Sequence, residues 1–153
     1  MNKEEFEQLK SILNLAPCGI GLFHINDDMS EIFLNDSFFD LLGYSRKEYA
    51  EIVKKPYALV VPEDIEMAKL PRIAGATKET RFRIVNKQGH IVWVKLNLSD
   101  MFWEGEHIIF ASFVDISNEK NLSAHLSLIA ENMGSSISVF SINNGIESLV
   151  YAN

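Results

Sequence analysis

The stretch TRFRIVNKQGHIVWVKLNLSDMFWEGEHIIFASFVD, residues 80–115, decides the fold. It holds three runs rich in β-branched and aromatic residues, at Thr80–Val85, His90–Asp100 and Glu106–Asp115. The short segments that join these runs each contain a glycine, which supplies the positive φ angles that tight turns need. The stretch therefore predicts an antiparallel meander of three strands.

The apolar residues of the last two strands follow different patterns. In the middle strand, every second residue from Val92 to Leu98 is apolar, which predicts one buried face. In the last strand, both alternating sets are apolar between Ile108 and Val114, which predicts burial on both faces. Helices from the middle of the chain can cover only one face, so the other face needs the terminal helices or a second molecule.

Helices and a hairpin are predicted before the meander. A capping-box spacing precedes an amphipathic helix at Lys3–Asn14. Two short apolar runs, Gly19–Ile25 and Glu31–Leu34, flank three turn-forming polar residues and predict a β-hairpin.

Three short helices should follow the hairpin. Asn35 is placed to cap the first, and Gly43 lies where a left-handed residue would end it. Ser45 and Glu48 have capping-box spacing for the second helix. Pro62 suits the first turn of the third, where proline loses no hydrogen bond.

The composition is typical of one compact soluble domain, with 153 residues of which 47% are hydrophobic. The net charge of −7 argues against nucleic acid as a partner, because phosphate binding needs clustered Lys and Arg. No apolar stretch approaches the roughly 20 residues of a membrane helix, and residues 1–10 lack the apolar core of a signal peptide. A single cysteine, Cys18, fits a reducing compartment. We therefore expect a cytoplasmic domain without membrane contact.

The end of the chain repeats its beginning. After Asp115, apolar residues at coiled-coil-like spacing predict a helix to Met133, although two heptads do not distinguish a coiled coil from a helix lying on its own domain. A shift of 117 pairs Ile20 with Ile137 and Phe23 with Phe140, and a one-residue slip then brings Asn35 opposite Asn153. We expect one complete module and the start of a second, whose residues 134–153 are frayed or paired with a sheet edge.

Four motifs in this order resemble the PAS sensory domain family. NDSFFDLLGYS at 35–45 is similar to its N-x-x-F-x-x-L-x-G-Y segment, and VPED at 61–64 is similar to its hP-x-D turn. Residues 79–93, with a K-x-G turn before a tryptophan strand, resemble its C-terminal half, and DIS at 115–117 resembles its junction with a signalling helix.

The resemblance implies an α+β fold with a five-stranded antiparallel sheet in the order 2-1-5-4-3 and helices enclosing a small pocket on one face. It divides the chain into an N-terminal helix (1–14), a PAS domain (15–116), a connecting helix (117–133) and a truncated second PAS domain (134–153). It also implies a bacterial signalling protein, with adjacent PAS copies and an output domain such as a diguanylate cyclase or histidine kinase. Between Pro62 and Thr77 the family has a longer helix, and a shortened one here would narrow or open the pocket.

No cofactor is expected from these motifs. The flavin-binding relatives use a cysteine within a G-x-N-C-R-F-L pattern, which is absent, and Cys18 precedes the first strand as a small buried residue. Haem-binding relatives place a histidine just before the meander, a region without histidine here. The four histidines have no metal-site spacing; they are His24, His90, His107 and His125.

We expect a non-catalytic regulatory and dimerisation module, acting as a homodimer, in which Asp115 and Ser117 relay a change from the last strand to the exit helix, with Ser117 capping that helix. The alternatives are a small-molecule sensor with a dedicated apolar pocket, and a small enzyme using an acid such as Asp40. Residues expected either to line a pocket or simply to fill the core are Phe38, Phe39, Leu42, Tyr57, Phe82 and Ile84. Candidates for the dimer or the outer sheet face are Phe6, Leu9, Leu13, Leu122, Leu126 and Ile129.

Overall fold

The fold was obtained as a computed structural model, which describes residues 3–25, 30–54, 57–69, 78–103, 105–133, 138–143 and 146–152. The chain divides into two compact units, Met1–Asp115 and Ile116–Asn153. Among the described residues, no helix combines the length and the apolar character needed to cross a membrane.

The first unit contains a five-stranded antiparallel sheet with helices around it. Its strands lie in the order β2-β1-β5-β4-β3, which confirms the predicted order and the α+β class. In chain order the elements are α1 (Lys3–Leu13), β1 (Gly19–His24), β2 (Glu31–Leu34), α2 (Asp36–Leu42), α3 (Arg46–Ile52), a 3₁₀ turn (Pro62–Asp64), α4 (Ile65–Lys69), β3 (Glu79–Val85), β4 (Ile91–Trp103) and β5 (Glu106–Asp115).

The meander forms as the glycine turns predict. Gly89 and Gly105 have φ angles of 81° and 83°, in the left-handed region that favours glycine. The strand β4 continues beyond the predicted end at Asp100, because its pairing with β5 extends to Trp103 opposite Glu106. The end of β4 was predicted too early because the apolar alternation of the sequence stops near Asp100. The hydrogen-bonded pairing of β4 with β5 continues beyond that point.

Both faces of β5 are covered, as the sequence predicts. On the inner face, Ala111 belongs to the main core, with the alternate residues of β4 from Val92 to Leu98. On the outer face, Ile108 packs in a smaller cluster that includes Leu13. The ring of Phe6 also lies 5.2 Å from that of Trp103. The helix α1 of the same chain therefore covers part of the outer face.

The predicted helix caps are present. The side chain of Asn35 accepts a hydrogen bond from Phe38 N, and Gly43 ends α2 with a φ of 75°. Ser45 and Glu48 form a complete capping box at α3, and Pro62 begins the 3₁₀ turn that leads into α4. The five-residue α4 is short, and residues 70–77 lie outside the described part of the chain.

The second unit contains α5 (Ser117–Met133), β6 (Ser138–Asn143) and β7 (Ile146–Ala152). Ser117 is the first residue of α5, and its capping role stays a prediction. The strands β6 and β7 pair with each other as a two-stranded antiparallel sheet. The described strands are therefore not frayed, because each pairs with the other along one of its two edges. Pairing of a remaining edge with another sheet stays a prediction.

The β6–β7 hairpin has the register of β1–β2. Each first-strand residue is displaced by 117 positions and each second-strand residue by 118, in agreement with the shift and slip of the sequence repeat. The register irregularity after Leu22 corresponds to the one after Val139. The corresponding pairs are Gly21–Leu34 with Ser138–Ala152, Leu22–Phe33 with Val139–Tyr151, and Phe23–Glu31 with Phe140–Leu149.

Candidate functional site

A cavity of about 600 Å³ lies between the inner face of the sheet and the helices α2–α4. This volume is in the range of small-molecule sites. Its floor consists of apolar residues from β3, β4 and β5, and we use "floor" for this set: Phe82, Ile84, Val94, Leu96, Leu98 and Ala111. All six are buried.

The helix α2 lies close to the sheet because β1 begins with a glycine. A Cβ atom on Gly19 would come within 3.2 Å of the Cα atom of Phe38, closer than ordinary packing permits. Phe38 lines the cavity, and its ring centroid lies 5.0 Å from that of Phe113 on β5. The glycine therefore allows a direct aromatic contact between α2 and the last strand.

The side chain of Asn35 joins three segments beneath α2. It is fully buried, and its Oδ1 accepts hydrogen bonds from Ile20 N at 2.7 Å and Phe38 N at 3.1 Å. Its Nδ2 donates to Leu13 O and Cys18 O, each at 3.0 Å. One amide therefore connects the end of α1, the start of β1 and the cavity helix.

Residues 57–69, which we call the strap, cross the cavity and are fastened to β3. Val61 N donates to Arg83 O at 2.9 Å, and Val85 N donates to Leu59 O at 2.8 Å. At the other end of the strap, the Thr80 hydroxyl donates to Met67 O at 3.0 Å. These bonds also occupy part of the exposed edge of β3.

An ion pair reinforces the strap. Asp64 Oδ1 accepts from Arg83 Nη2 at 2.7 Å, and Asp64 Oδ2 accepts from both Nε and the backbone N of Arg83 at 2.8 Å. These hydrogen bonds hold the pKa of the Asp64 carboxyl below its usual range.

The Asp64–Arg83 ion pair should make the free energy of unfolding depend on pH. Because the folded-state pKa of Asp64 is depressed, its contribution is present above the unfolded-state pKa and is lost as pH falls through the folded-state pKa. We expect Asp64→Asn to destabilise the protein at neutral pH, by a difference that narrows toward strongly acidic pH. Urea unfolding across pH measures it. In an Arg83→Gln background, the loss of unfolding free energy caused by Asp64→Asn should depend little on pH. An equally strong pH dependence in that background would contradict the role of the Asp64–Arg83 pair.

The mouth of the cavity is polar. Glu31 and Lys54 both line the cavity and remain exposed to solvent, and Tyr49 lines it beside them. Partial burial raises the pKa of Glu31, with Arg46 opposing the shift. Burial, aided by the charge of Glu31, raises the pKa of Tyr49 to about 12, so its hydroxyl stays protonated. The polar groups of the described wall therefore include two side chains that reach solvent, whereas the floor is apolar.

Comparison with known families gives one decisive match. The family described as "PAS domain" matches residues 17–118, which include the whole sheet and the cavity. The chain belongs to the PAS domain family. No curated protein matches the sequence. PAS domains are in general non-catalytic sensory modules.

Solved structures share this PAS fold at low sequence identity. A PAS domain from a two-component sensor histidine kinase has a TM-score of 0.59 and 15% identity, over 75% of this chain and 99% of that one. The PAS domain of an HTR-like protein from Haloarcula marismortui gives 0.56 and 19%, over 74% and 93%. The Rhodobacter sphaeroides LOV protein gives 0.59 and 14%, over 88% and 82%. At these identities the similarity concerns the fold alone.

The structure places five of the six pocket candidates on the cavity wall: Phe38, Leu42, Tyr57, Phe82 and Ile84. Phe39 is buried in the same core but is not among the described wall residues. The guanidinium of Arg46 lies 4.5 Å from its ring centroid, and the ring of Tyr49 lies 5.5 Å away. The cavity side of α2 carries Phe38 together with Leu41 and Leu42, three and four residues later, and Phe39 lies outside this set.

The residues of the mouth were missed by the sequence reasoning. Tyr49 has a weak signal, since it lies in a predicted helix and is its only aromatic residue. Glu31 and Lys54 have none, because a charged residue at the end of a strand or helix is usually solvated. Asp40, the acid considered for an enzyme, is exposed on α2 and does not line this cavity.

The chemistry of the wall does not fit a flavin–cysteine adduct. The sole cysteine of the chain, Cys18, lies just before β1, is only partly buried contrary to expectation, and is not on the cavity wall. None of the four histidines is among the described wall residues. In the described part of the chain, no three His, Cys, Asp or Glu residues are grouped as metal ligands.

The relay and dimer candidates occupy different elements. Asp115 is the last residue of β5, and Ser117 begins α5. Of the outer-face candidates on α1, Phe6 and Leu13 contact the sheet, and Leu9 is half-buried. On α5, Leu122 and Ile129 are 52% and 50% exposed, while Leu126 is half-buried.

Proposed function

We propose that this PAS domain is a non-catalytic sensory and regulatory module of a bacterial cytoplasmic signalling protein. A change in the cavity is relayed along β5 through Asp115 and Ser117 to α5. The observation that carries the proposal is the position of Ala111 and Phe113, which line the cavity four and two residues before Asp115. Since β5 leads directly into α5, a shift of this strand also moves the start of the helix.

The relay is testable in this chain by filling the cavity. We expect Ala111→Leu, which enlarges a floor side chain, to change amide hydrogen exchange in the first turns of α5, because β5 must shift to accommodate it. The double substitution Asp115→Ala with Ser117→Ala should remove this response and leave the fold intact. Hydrogen–deuterium exchange with mass spectrometry measures both.

Two comparisons make the relay experiment decisive. Ser123→Ala, in the middle of α5, should preserve the response to Ala111→Leu. Ala68→Leu enlarges the cavity wall from the strap and serves as a second filled variant. Identical α5 exchange in the wild type and both filled variants would contradict the relay.

We further propose that the protein is a homodimer joined through α5. The support is the exposure of Leu122 and Ile129, which contrasts with the sheet contacts of Phe6 and Leu13 on α1. Apolar residues spaced as on α5 are typical of paired helices.

Charged side chains at positions 122 and 129 of α5 should separate the protomers. We expect Leu122→Glu with Ile129→Glu to weaken dimerisation at least tenfold, because two like charges would face each other in an apolar contact. Sedimentation equilibrium measures the dissociation constant, with Ser123→Glu as the control on the same helix. A monomeric wild type, or a dimer unaffected by both changes, would refute the assignment.

The second unit is proposed to begin another PAS copy, consistent with the division 1–14, 15–116, 117–133 and 134–153. Its support is the shared register of β6–β7 and β1–β2, with the irregularity at corresponding positions. Adjacent PAS copies and an output domain, such as a diguanylate cyclase or histidine kinase, would be its partners, without nucleic acid or membrane contact by this segment.

A further inference from the structure

The polar groups of the cavity are segregated, and this restricts what it can hold. The floor offers no hydrogen-bonding side chain, so a polar atom buried against it would lose its contacts with water uncompensated. Among the described wall residues, four carry polar side-chain groups: Glu31, Tyr49, Lys54 and Tyr57. A matching ligand has an apolar body and a polar group at the end that faces the mouth.

Glu31 is the acidic group available there. In the part of the chain that the structure describes, its carboxylate makes neither a hydrogen bond nor an ion pair. The nearby Arg46 is already occupied, since it donates to Leu34 O at 3.0 Å and to Asp36 Oδ1 at 3.1 Å. A partly desolvated carboxylate that has no hydrogen-bond partner among the described residues favours a cationic ligand group.

Two other polar side chains of the mouth, Lys54 and Tyr49, differ in what they offer a ligand. Lys54 Nζ donates to Ala50 O at 2.7 Å, so it is held at the carbonyl end of α3. The Tyr49 hydroxyl has no hydrogen-bond partner among the described residues, and its oxygen can accept a bond from a donor beside Glu31.

We propose that the cavity binds a primary amine with a hydrocarbon or aryl body. Its ammonium group donates to the Glu31 carboxylate and to the Tyr49 oxygen, and its body lies on the floor. The inference deepens the proposed sensory function, because the amine would be the signal that the relay reports.

Other ligand chemistries fit less well. A carboxylate would be repelled by Glu31 and attracted by Lys54, whose ammonium lies at the carbonyl end of α3; the octanoate probe below tests this competing charge. Rings with several polar edge atoms, such as nucleobases or flavins, would bury those atoms against the floor without partners. The net charge of −7 also attracts cations rather than anions.

Three probes of equal chain length separate these possibilities: octylamine, 1-octanol and octanoate. Calorimetric titration of the full chain near neutral pH should show octylamine binding most tightly. Glu31→Gln should lower octylamine affinity at least about tenfold, since it removes a charged hydrogen-bond partner, and leave 1-octanol binding unchanged. Glu51→Gln, an exposed acid on α3, is the matched control and should change neither.

Three other outcomes would contradict the proposed amine ligand. Tighter binding of octanoate, equal effects of Glu31→Gln on all three probes, or no binding of any probe would overturn the inference. None of these results bears on the relay, which is tested by the α5 exchange of the cavity-filled variants without a ligand. Conversely, octylamine binding together with unchanged α5 hydrogen exchange in the cavity-filled variants would overturn the relay and preserve the amine site.

Discussion

Asn35→Ala should destabilise the protein by about 4 kcal/mol, the largest effect expected of any single substitution here. The change removes the bonds of the side chain to Ile20 N, Phe38 N, Leu13 O and Cys18 O. Phe38 N keeps its bond to Asn35 O and Leu13 O keeps its bond from Ala16 N, so the main cost falls on Ile20 N and Cys18 O and on the lost helix cap. The site is fully buried, so water cannot readily replace the lost bonds. Urea unfolding with a check on the m-value measures the loss.

A second asparagine provides the control. The side chain of Asn86 accepts hydrogen bonds from Gln88 N at 3.1 Å and His90 N at 2.9 Å, in an exposed turn. We expect Asn86→Ala to cost only about 1 kcal/mol, because water can take over both donors. Equal losses for the two variants would show that the buried network of Asn35 adds nothing to an ordinary turn.

Phe38→Ala should cost about 3–4 kcal/mol. The ring is 7% exposed and meets three others edge to face, with centroid distances of 5.5 Å to Phe39, 5.6 Å to Tyr49 and 5.0 Å to Phe113. Its loss removes these contacts and enlarges a cavity that is already open. The same unfolding experiment measures the cost.

Phe102→Ala is the matched comparison for Phe38. Phe102 is 74% exposed at the end of β4, so its truncation should change the free energy of unfolding by less than about 1 kcal/mol. A loss at Phe38 as small as at Phe102 would mean that the aromatic group around α2 does not hold the cavity together.

The sequence predicted the fold wherever local chemistry decides it. The alternation from Val92 to Leu98 identified the inner face of β4 because strand geometry alone assigns those side chains. The caps at Asn35 and Ser45 were predictable because each cap side chain and the backbone N–H that donates to it lie within one turn.

The site was less predictable because it depends on distances between remote segments. Whether aromatic residues enclose a cavity or fill it is set by the separation of the strap from the floor, and Ala68 and Ala111 keep that space open. The position of Glu31 at the mouth requires β2 and α3 to be adjacent, which no local pattern encodes. The bonds from Asn35 to Leu13 and Cys18 were missed for the same reason.

The amide of Asn35 also sets the smallest fragment that can be expected to fold well. The family match begins at residue 17, yet Asn35 donates to Leu13 O, Asp36 N donates to Asn14 Oδ1, and the Ser37 hydroxyl donates to Ala16 O. A protein trimmed to the matched residues would lose all three acceptors at once. The autonomous folding unit therefore starts upstream of the homologous one, and truncations designed from homology alone would cut through its hydrogen bonds.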